Sequence, residues 1–241
     1  MNNRNYVELD ELIQRNYSVD TGRFISHGWE IFKQNLGGFI GFLLVSLLIN
    51  IGLALIPLAG SIASAVISGP LNAGNFIVAF KIGKRQQVTF SDFFKGFQNS
   101  YFLNLFLATL VIGLFIGASF LPFALAIIFG VQMGVRPIIL GLLGILLIAP
   151  GIYLAIAYIF TVPLIVGKKM EFWPAMEASR KLITKKWTSF FGFSLVLTLI
   201  NFAGVLLCGV GLLFTAPLTI CAIAAAYESI VGLPVFDPSQ A

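Results

Sequence analysis

Four stretches of the chain contain no charged residue: Gly37–Phe80, Tyr101–Val135, Pro137–Gly167 and Thr188–Tyr227. About 20 consecutive apolar residues are enough for a helix to cross a bilayer, and each stretch reaches that length. The first and last are long enough to cross twice. Each of these two is broken near its middle, by "IPLAGS" at Ile56–Ser61 and by "CGVG" at Cys208–Gly211. The central two are parted by "GVQMGVRP" at Gly130–Pro137. The pattern predicts an all-α integral membrane protein with six transmembrane helices, roughly over 39–57, 61–80, 101–129, 138–166, 189–207 and 212–230. The central pair is about nine residues longer than a bilayer requires. It is expected to tilt, to kink at Pro122 or Pro150, or to project beyond the lipid.

A polar segment with its own periodicity precedes each predicted hairpin. Before the first, Ile25, Trp29, Phe32 and Leu36 form a stripe at helical spacing, with Ser26, Glu30, Lys33 and Gln34 off it. Before the second, Phe90, Phe93, Phe94 and Phe97 recur at i, i+3, i+4 and i+7, and Thr89 with Asp92 resembles a capping box. Before the third, Phe172, Met176, Ile183 and Trp187 fit one face, and Pro174 suits a first helical turn. Three short amphipathic helices at the membrane interface are therefore expected. Their anchors are Trp29, Phe32, Phe93, Phe94, Phe97, Trp173 and Trp187. All three tryptophans of the chain fall here, where an interfacial aromatic belt belongs.

The first and third hairpins read as copies. Phe39–Gly60 and Phe190–Gly211 align without a gap and agree at 10 of 22 positions, among them Asn50 with Asn201 and Gly60 with Gly211. After a deletion of four residues, "GPL" at Gly69–Leu71 falls on "APL" at Ala216–Leu218. The predicted organisation is three parallel repeats, each an interfacial amphipathic helix followed by a transmembrane hairpin, over about 20–83, 88–168 and 170–232. Two crossings per unit keep the copies in one orientation, unlike the inverted repeats of many transporters. The middle copy matches least well, because "VPL" at Val162–Leu164 lies too near its helix end. A polar tail over 1–19 and a short tail over 233–241 flank the membrane domain, 20–232.

Composition sharpens this picture. Of 241 residues, 58% are hydrophobic and 10% charged, against about 25% charged in a soluble domain. Fourteen of the 15 Lys and Arg residues fall in the segment before residue 37 and in the loops 81–100 and 167–187; only Arg136 lies on the other side. The positive-inside rule then places both termini in the cytoplasm. The basic balance is thus a sign of topology. It is spread over three loops with no recognition module, so no nucleic-acid partner is expected. The first apolar run begins late, which predicts that the first membrane helix serves as its own insertion signal.

The segments "GWEIFKQNLGGFIGF", "PGIYLAIAYIFTVPLIV" and "AMEASRKLITKKW" resemble an uncharacterised family of bacterial multi-pass membrane proteins. That family is similar to the membrane domain attached to some glycerophosphoryl diester phosphodiesterases. The likeness covers about residues 20–232 and carries no part of that catalytic domain. It implies a fold and a bacterial inner (plasma) membrane, with an internal bacterial membrane such as a thylakoid fitting equally. It implies no activity and no functional residues.

Chemistry is sparse. The membrane cores hold no ionisable residue, which weighs against a proton- or sodium-coupled transporter. His27 is the only histidine, and with no second one it reads as a solvated interfacial residue. Cys208 and Cys221 lack metal-type spacing and read as packing residues. Ser179 and Lys181 are too weak a pattern for a catalytic dyad, and no nucleophile elbow or P-loop is present. No enzyme activity, cofactor or metal is predicted. Asn50 and Asn201 stand out inside the first and fifth helices. Either they form a polar intramembrane site, enlarged by Asn72 and Asn75, or they hydrogen-bond between helices. The functional expectation is a non-enzymatic protein that organises lipid or supports an assembly, its interfacial helices gripping the anionic cytoplasmic leaflet or a protein partner. The alternative is a transporter or channel for a small neutral or lipid-like solute.

Overall fold

The computed structural model describes residues 17–132, 134, 137–207 and 209–233. The predicted tails over 1–19 and 233–241 lie almost wholly outside the described residues, as do Arg136 and Cys208. Among the described residues nine α-helices follow in order: α1 Thr21–Gln34, α2 Leu36–Ala54, α3 Ala59–Gly83, α4 Asn99–Gln132, α5 Pro137–Ala157, α6 Thr161–Lys168, α7 Phe172–Lys185, α8 Trp187–Leu206 and α9 Leu212–Val231. A 3-10 helix, Phe90–Phe97, lies between α3 and α4. No strand occurs among the described residues.

Among the described residues six segments are long and apolar enough to cross a membrane: Leu36–Ala54, Ala59–Gly83, Asn99–Gly130, Leu146–Lys168, Trp187–Leu206 and Leu212–Val231. This is the organisation of a multi-pass membrane protein. Outward-facing leucines agree with it. Leu48 is 68% exposed within α2 and Leu199 57% exposed within α8, a surface that water would penalise and hydrocarbon would not. The longest helix, α4, has 34 residues, about 51 Å at 1.5 Å per residue, against a hydrocarbon core of about 30 Å.

The fourth span departs from the single helix expected over 138–166. It is two helices, α5 and α6, interrupted at 158–160. Neither expected kink site interrupts its helix: Pro122 lies within α4 and Pro150 within α5. The break precedes Pro163 instead. Proline has no N–H for the carbonyl four residues earlier, Ile159, and its ring collides with that carbonyl in a continuous helix. As the third residue of α6, Pro163 needs no such bond, because first-turn N–H groups have no partner within a helix.

The densest core gathers the basic end of the bundle, where the short helices pack. Phe24, Phe32, Phe39, Phe42, Phe80, Phe93, Phe160, Phe190, Phe193 and Tyr227 are all fully buried there. Their rings run in series: Phe32 to Phe39 at 5.9 Å, Phe39 to Phe93 at 5.4 Å, and Phe42 to Phe93 at 4.8 Å. On the other side, Tyr227 touches both Phe80 at 5.2 Å and Phe160 at 5.8 Å, and Phe160 meets Phe190 edge-on at 5.5 Å. Such pairs add about 0.5–1.5 kcal/mol each beyond the area they bury.

The face of α1 differs from the expected stripe. Phe24, Gly28, Ile31 and Phe32 are buried, while Trp29 is exposed and Ile25 and Leu36 are half-buried. Gly28 sets this rotation, because it lets α1 lie on the backbone of α9 at Ala222. On α7 the buried face is likewise built from small residues, Ala175, Ala178 and Ser179, beside Met176, Leu182 and Ile183. The segment before α4 forms a 3-10 helix with its side against α3. A Cβ at Gly74 would collide with the Phe93 carbonyl, and one at Gly96 with the Pro70 carbonyl, so two glycines permit backbone contact.

Candidate functional site

Three of the four asparagines singled out in the sequence line one cleft. It lies between α2, α3 and α9, has a volume of about 240 Å³, and includes Asn50, Asn72, Asn75, Ser46, Ser68 and Pro217 in its wall. The apolar remainder is Phe42, Leu43, Leu71, Ala216 and Ile220. No charged residue among the described residues lines it. Asn50 sits on α2 and donates from Nδ2 to the Ser46 carbonyl at 2.8 Å. Asn75 donates to the Leu71 carbonyl at 3.4 Å. Both bonds stay within one helix turn and use the amide N–H, so neither engages the amide oxygen. Asn72 has no hydrogen-bond partner among the described residues. Ser46 Oγ is shut off from the surface and also unpartnered.

Asn201 does not join them. Its Nδ2 donates to the Leu197 carbonyl at 3.0 Å and to Thr219 Oγ1 at 2.7 Å, and the Thr219 hydroxyl donates to the Thr215 carbonyl at 2.9 Å. This side chain therefore clasps α8 to α9. The residue that decides the difference is Thr219, which aligns with Asn72.

The aromatic residues expected as anchors divide into three sets. Phe32 and Phe93 are completely buried in ring contacts, so they face protein and not lipid. Phe94, Phe97 and Trp187 are half-buried; Phe94 packs edge-on to Phe42 at 5.4 Å, and Trp187 packs on Tyr153 at 4.9 Å. Trp29 and Trp173 are exposed, and the Lys33 ammonium lies 5.9 Å from the Trp29 ring centre.

Charge at the basic end is organised around Asp92, only 1% exposed. Its carboxylate accepts from Lys81 Nζ at 2.8 Å, lies 3.0 Å from Lys95 Nζ, and accepts the Thr89 N–H at 2.8 Å. Burial pushes its pKa up. The hydrogen bonds from Lys81, Thr89 and Lys95 outweigh that and hold it down to about 2. The Thr89–Asp92 spacing read as a capping box thus also carries the ion cluster that ties the 3-10 helix to α3.

His27 borders a second cleft, of about 600 Å³, with Arg23, Ser26, Glu30, Glu228 and Ser229. Its Nε2 lies 3.4 Å from Glu228 Oε2 and its Nδ1 3.7 Å from Glu30 Oε2. The histidine therefore bridges α1 and α9 as well as meeting solvent.

Nothing in the sequence pointed to the part played by Ser179. Its hydroxyl donates to the Ala157 carbonyl at 2.8 Å and accepts the Phe160 N–H at 3.1 Å. One buried side chain on α7 thereby satisfies two of the backbone groups left open by the α5–α6 break. A lone serine on a face of Ala175, Ala178 and Leu182 was the only available signal. Tyr17, whose hydroxyl donates to the Leu182 carbonyl, was likewise missed; burial pushes its pKa up to about 12.

Compared with known proteins, the chain matches no protein-family model, no curated protein and no solved structure.

Proposed function

We propose that this is a non-enzymatic bacterial inner-membrane protein that organises lipid, or supports an assembly, through the short helices at its basic end. The observation that carries the reading is the exposure of Trp29 (41%), Phe90 (47%) and Trp173 (56%) on helices whose opposite faces are locked to the bundle. Aromatic rings beside Lys and Arg suit a headgroup layer, and a fixed base spares the entropy of ordering them there. On this reading the basic end is cytoplasmic and faces anionic lipid. The engagement of the Ser179 hydroxyl in backbone bonds also favours a role without catalysis.

Threefold repetition belongs to the same proposal, along with kinship to the phosphodiesterase-associated membrane domains. Two details support repetition. Asn35 and Lys186, 151 residues apart, each separate a short helix from a span, with φ/ψ of −142°/46° and −125°/42°. Gly60 crosses the backbone at Leu53, and Gly211 crosses it at the aligned Gly204.

The test is tryptophan fluorescence of the full chain in bilayers containing brominated phosphatidylglycerol. Strong quenching, reduced in Trp29→Phe and Trp173→Phe, is the expected result. Unquenched emission from both residues would remove the basis for the reading. A transporter or channel for a small neutral or lipid-like solute is the second reading, favoured by the cleft at Asn50, Asn72 and Asn75.

A further inference from the structure

We infer that the cleft between α2, α3 and α9 is a binding site for the neutral, hydroxyl-bearing head of a glycerolipid of the diacylglycerol type. This is independent of the leading proposed function, which concerns the lipid surface at the basic end, and it deepens the second reading by naming what the cleft would bind; binding here can hold whether or not a solute is carried.

The argument starts from unmet hydrogen bonds. Asn72 has no partner and Ser46 Oγ is both enclosed and unpartnered, yet both lie in segments that cross the membrane. Hydrocarbon can satisfy neither group, and a polar group left bare in such surroundings is costly. Asn50 and Asn72 are exposed on helices that otherwise turn apolar side chains outward, so the cleft opens sideways. A ligand can therefore enter from within the bilayer.

The lining selects the chemistry. Three amides offer donors and acceptors together, which suits a hydroxyl and ester carbonyls. No Lys, Arg or His borders the cleft, so a phosphate would be buried without a counter-charge. The apolar wall of Phe42, Leu43, Leu71 and Ile220 suits the upper part of acyl chains. A volume of about 240 Å³ takes a head and not a whole lipid, whose chains would lie along the outer faces of α2 and α9.

The Pro70–Gly74 segment stiffens the site. Its backbone is pressed on one side by the 3-10 helix at Phe93 and Gly96, while Leu71, Asn72 and Asn75 face the cleft on the other. The polar groups are thus held in place before a ligand arrives, which lowers the entropy lost on binding.

The experiment is photo-crosslinking of the full chain in nanodiscs with a photoactivatable diacylglycerol, mapped by peptide mass spectrometry. The expected result is labelling concentrated on α2, α3 and α9. It should fall about fivefold to tenfold in Asn72→Leu, as loss of one or two hydrogen bonds implies, and recover in Asn72→Gln. Unlabelled diacylglycerol should compete and phosphatidylglycerol should not. Asn201→Leu, outside the cleft, should label like the parent, and thermal unfolding of each variant checks that it is folded. Labelling spread evenly over all lipid-facing helices would overturn the inference. So would labelling indifferent to Asn72→Leu, or equal competition by phosphatidylglycerol.

Discussion

Gly28 of α1 rests on Ala222 of α9 so closely that a Cβ at Gly28 would lie 2.6 Å from the Ala222 Cα. The nearest atoms are backbone, which cannot swing aside. Gly28→Ala must therefore push α1 away, loosening Phe24 from Phe193, whose rings meet edge-on at 5.6 Å. The expected cost is about 1–3 kcal/mol, as for other overpacked sites. It should appear as a lower melting temperature in detergent and faster proteolysis near residue 20. A variant as stable as the parent would show that the two helices are not in this contact.

Ser179 answers for two backbone groups at once. Ser179→Ala leaves the Ala157 carbonyl and the Phe160 N–H without partners in a buried site. The predicted loss is about 1–3 kcal/mol. Hydrogen–deuterium exchange should quicken at the Phe160 amide before the spans are affected, and unchanged exchange there would refute the bridging role.

The Asp92 cluster predicts an acid limb. Its carboxyl ordinarily titrates near 3.8 and is held down to about 2 in the fold. A group depressed by folding adds stability that is present above its unfolded value and lost as the pH falls through the folded one. The melting temperature should therefore decline between about pH 4 and pH 2. Asp92→Asn should remove roughly 2 kcal/mol at neutral pH and flatten that decline. A decline of equal depth in the variant would assign it to other groups.

Asn50 and Asn201 should respond differently despite their matched positions. Asn201→Leu breaks the clasp to Thr219 and should cost about 0.6–2 kcal/mol, with a similar, non-additive loss in Thr219→Val. Asn50→Leu removes only a bond within α2 and should leave detergent stability nearly unchanged. A double-mutant cycle between 201 and 219 measures the coupling; a coupling of zero would make the clasp inert.

The contrast between these two asparagines shows where reading the chain alone stops. Their flanking residues are nearly the same, so they read alike, either as a polar site or as interhelical hydrogen bonds, and the chain alone does not separate the two. Which helix each meets depends on the facing residue, Thr219 in one hairpin and Asn72 in the other. The stripe on α1 is a similar case. Apolar spacing placed Trp29 and Phe32 on one interfacial face, but Phe32 is buried and Trp29 exposed, because burial follows the helix face that can approach closest, and Gly28 defines that face.

By itself the sequence determined the number and approximate limits of the spans, because about 20 uncharged residues leave the backbone no other way to satisfy itself in lipid. It also determined where the short helices lie, since polar periodicity and the Thr89–Asp92 spacing are local. Only the tertiary structure decided which of their faces pack inward, that a serine on α7 closes a break in the fourth span, and that three asparagines share a cleft while a fourth does not. Those outcomes depend on close approach between segments far apart in the chain. Side-chain size and backbone geometry govern that approach, and neither is written in hydropathy.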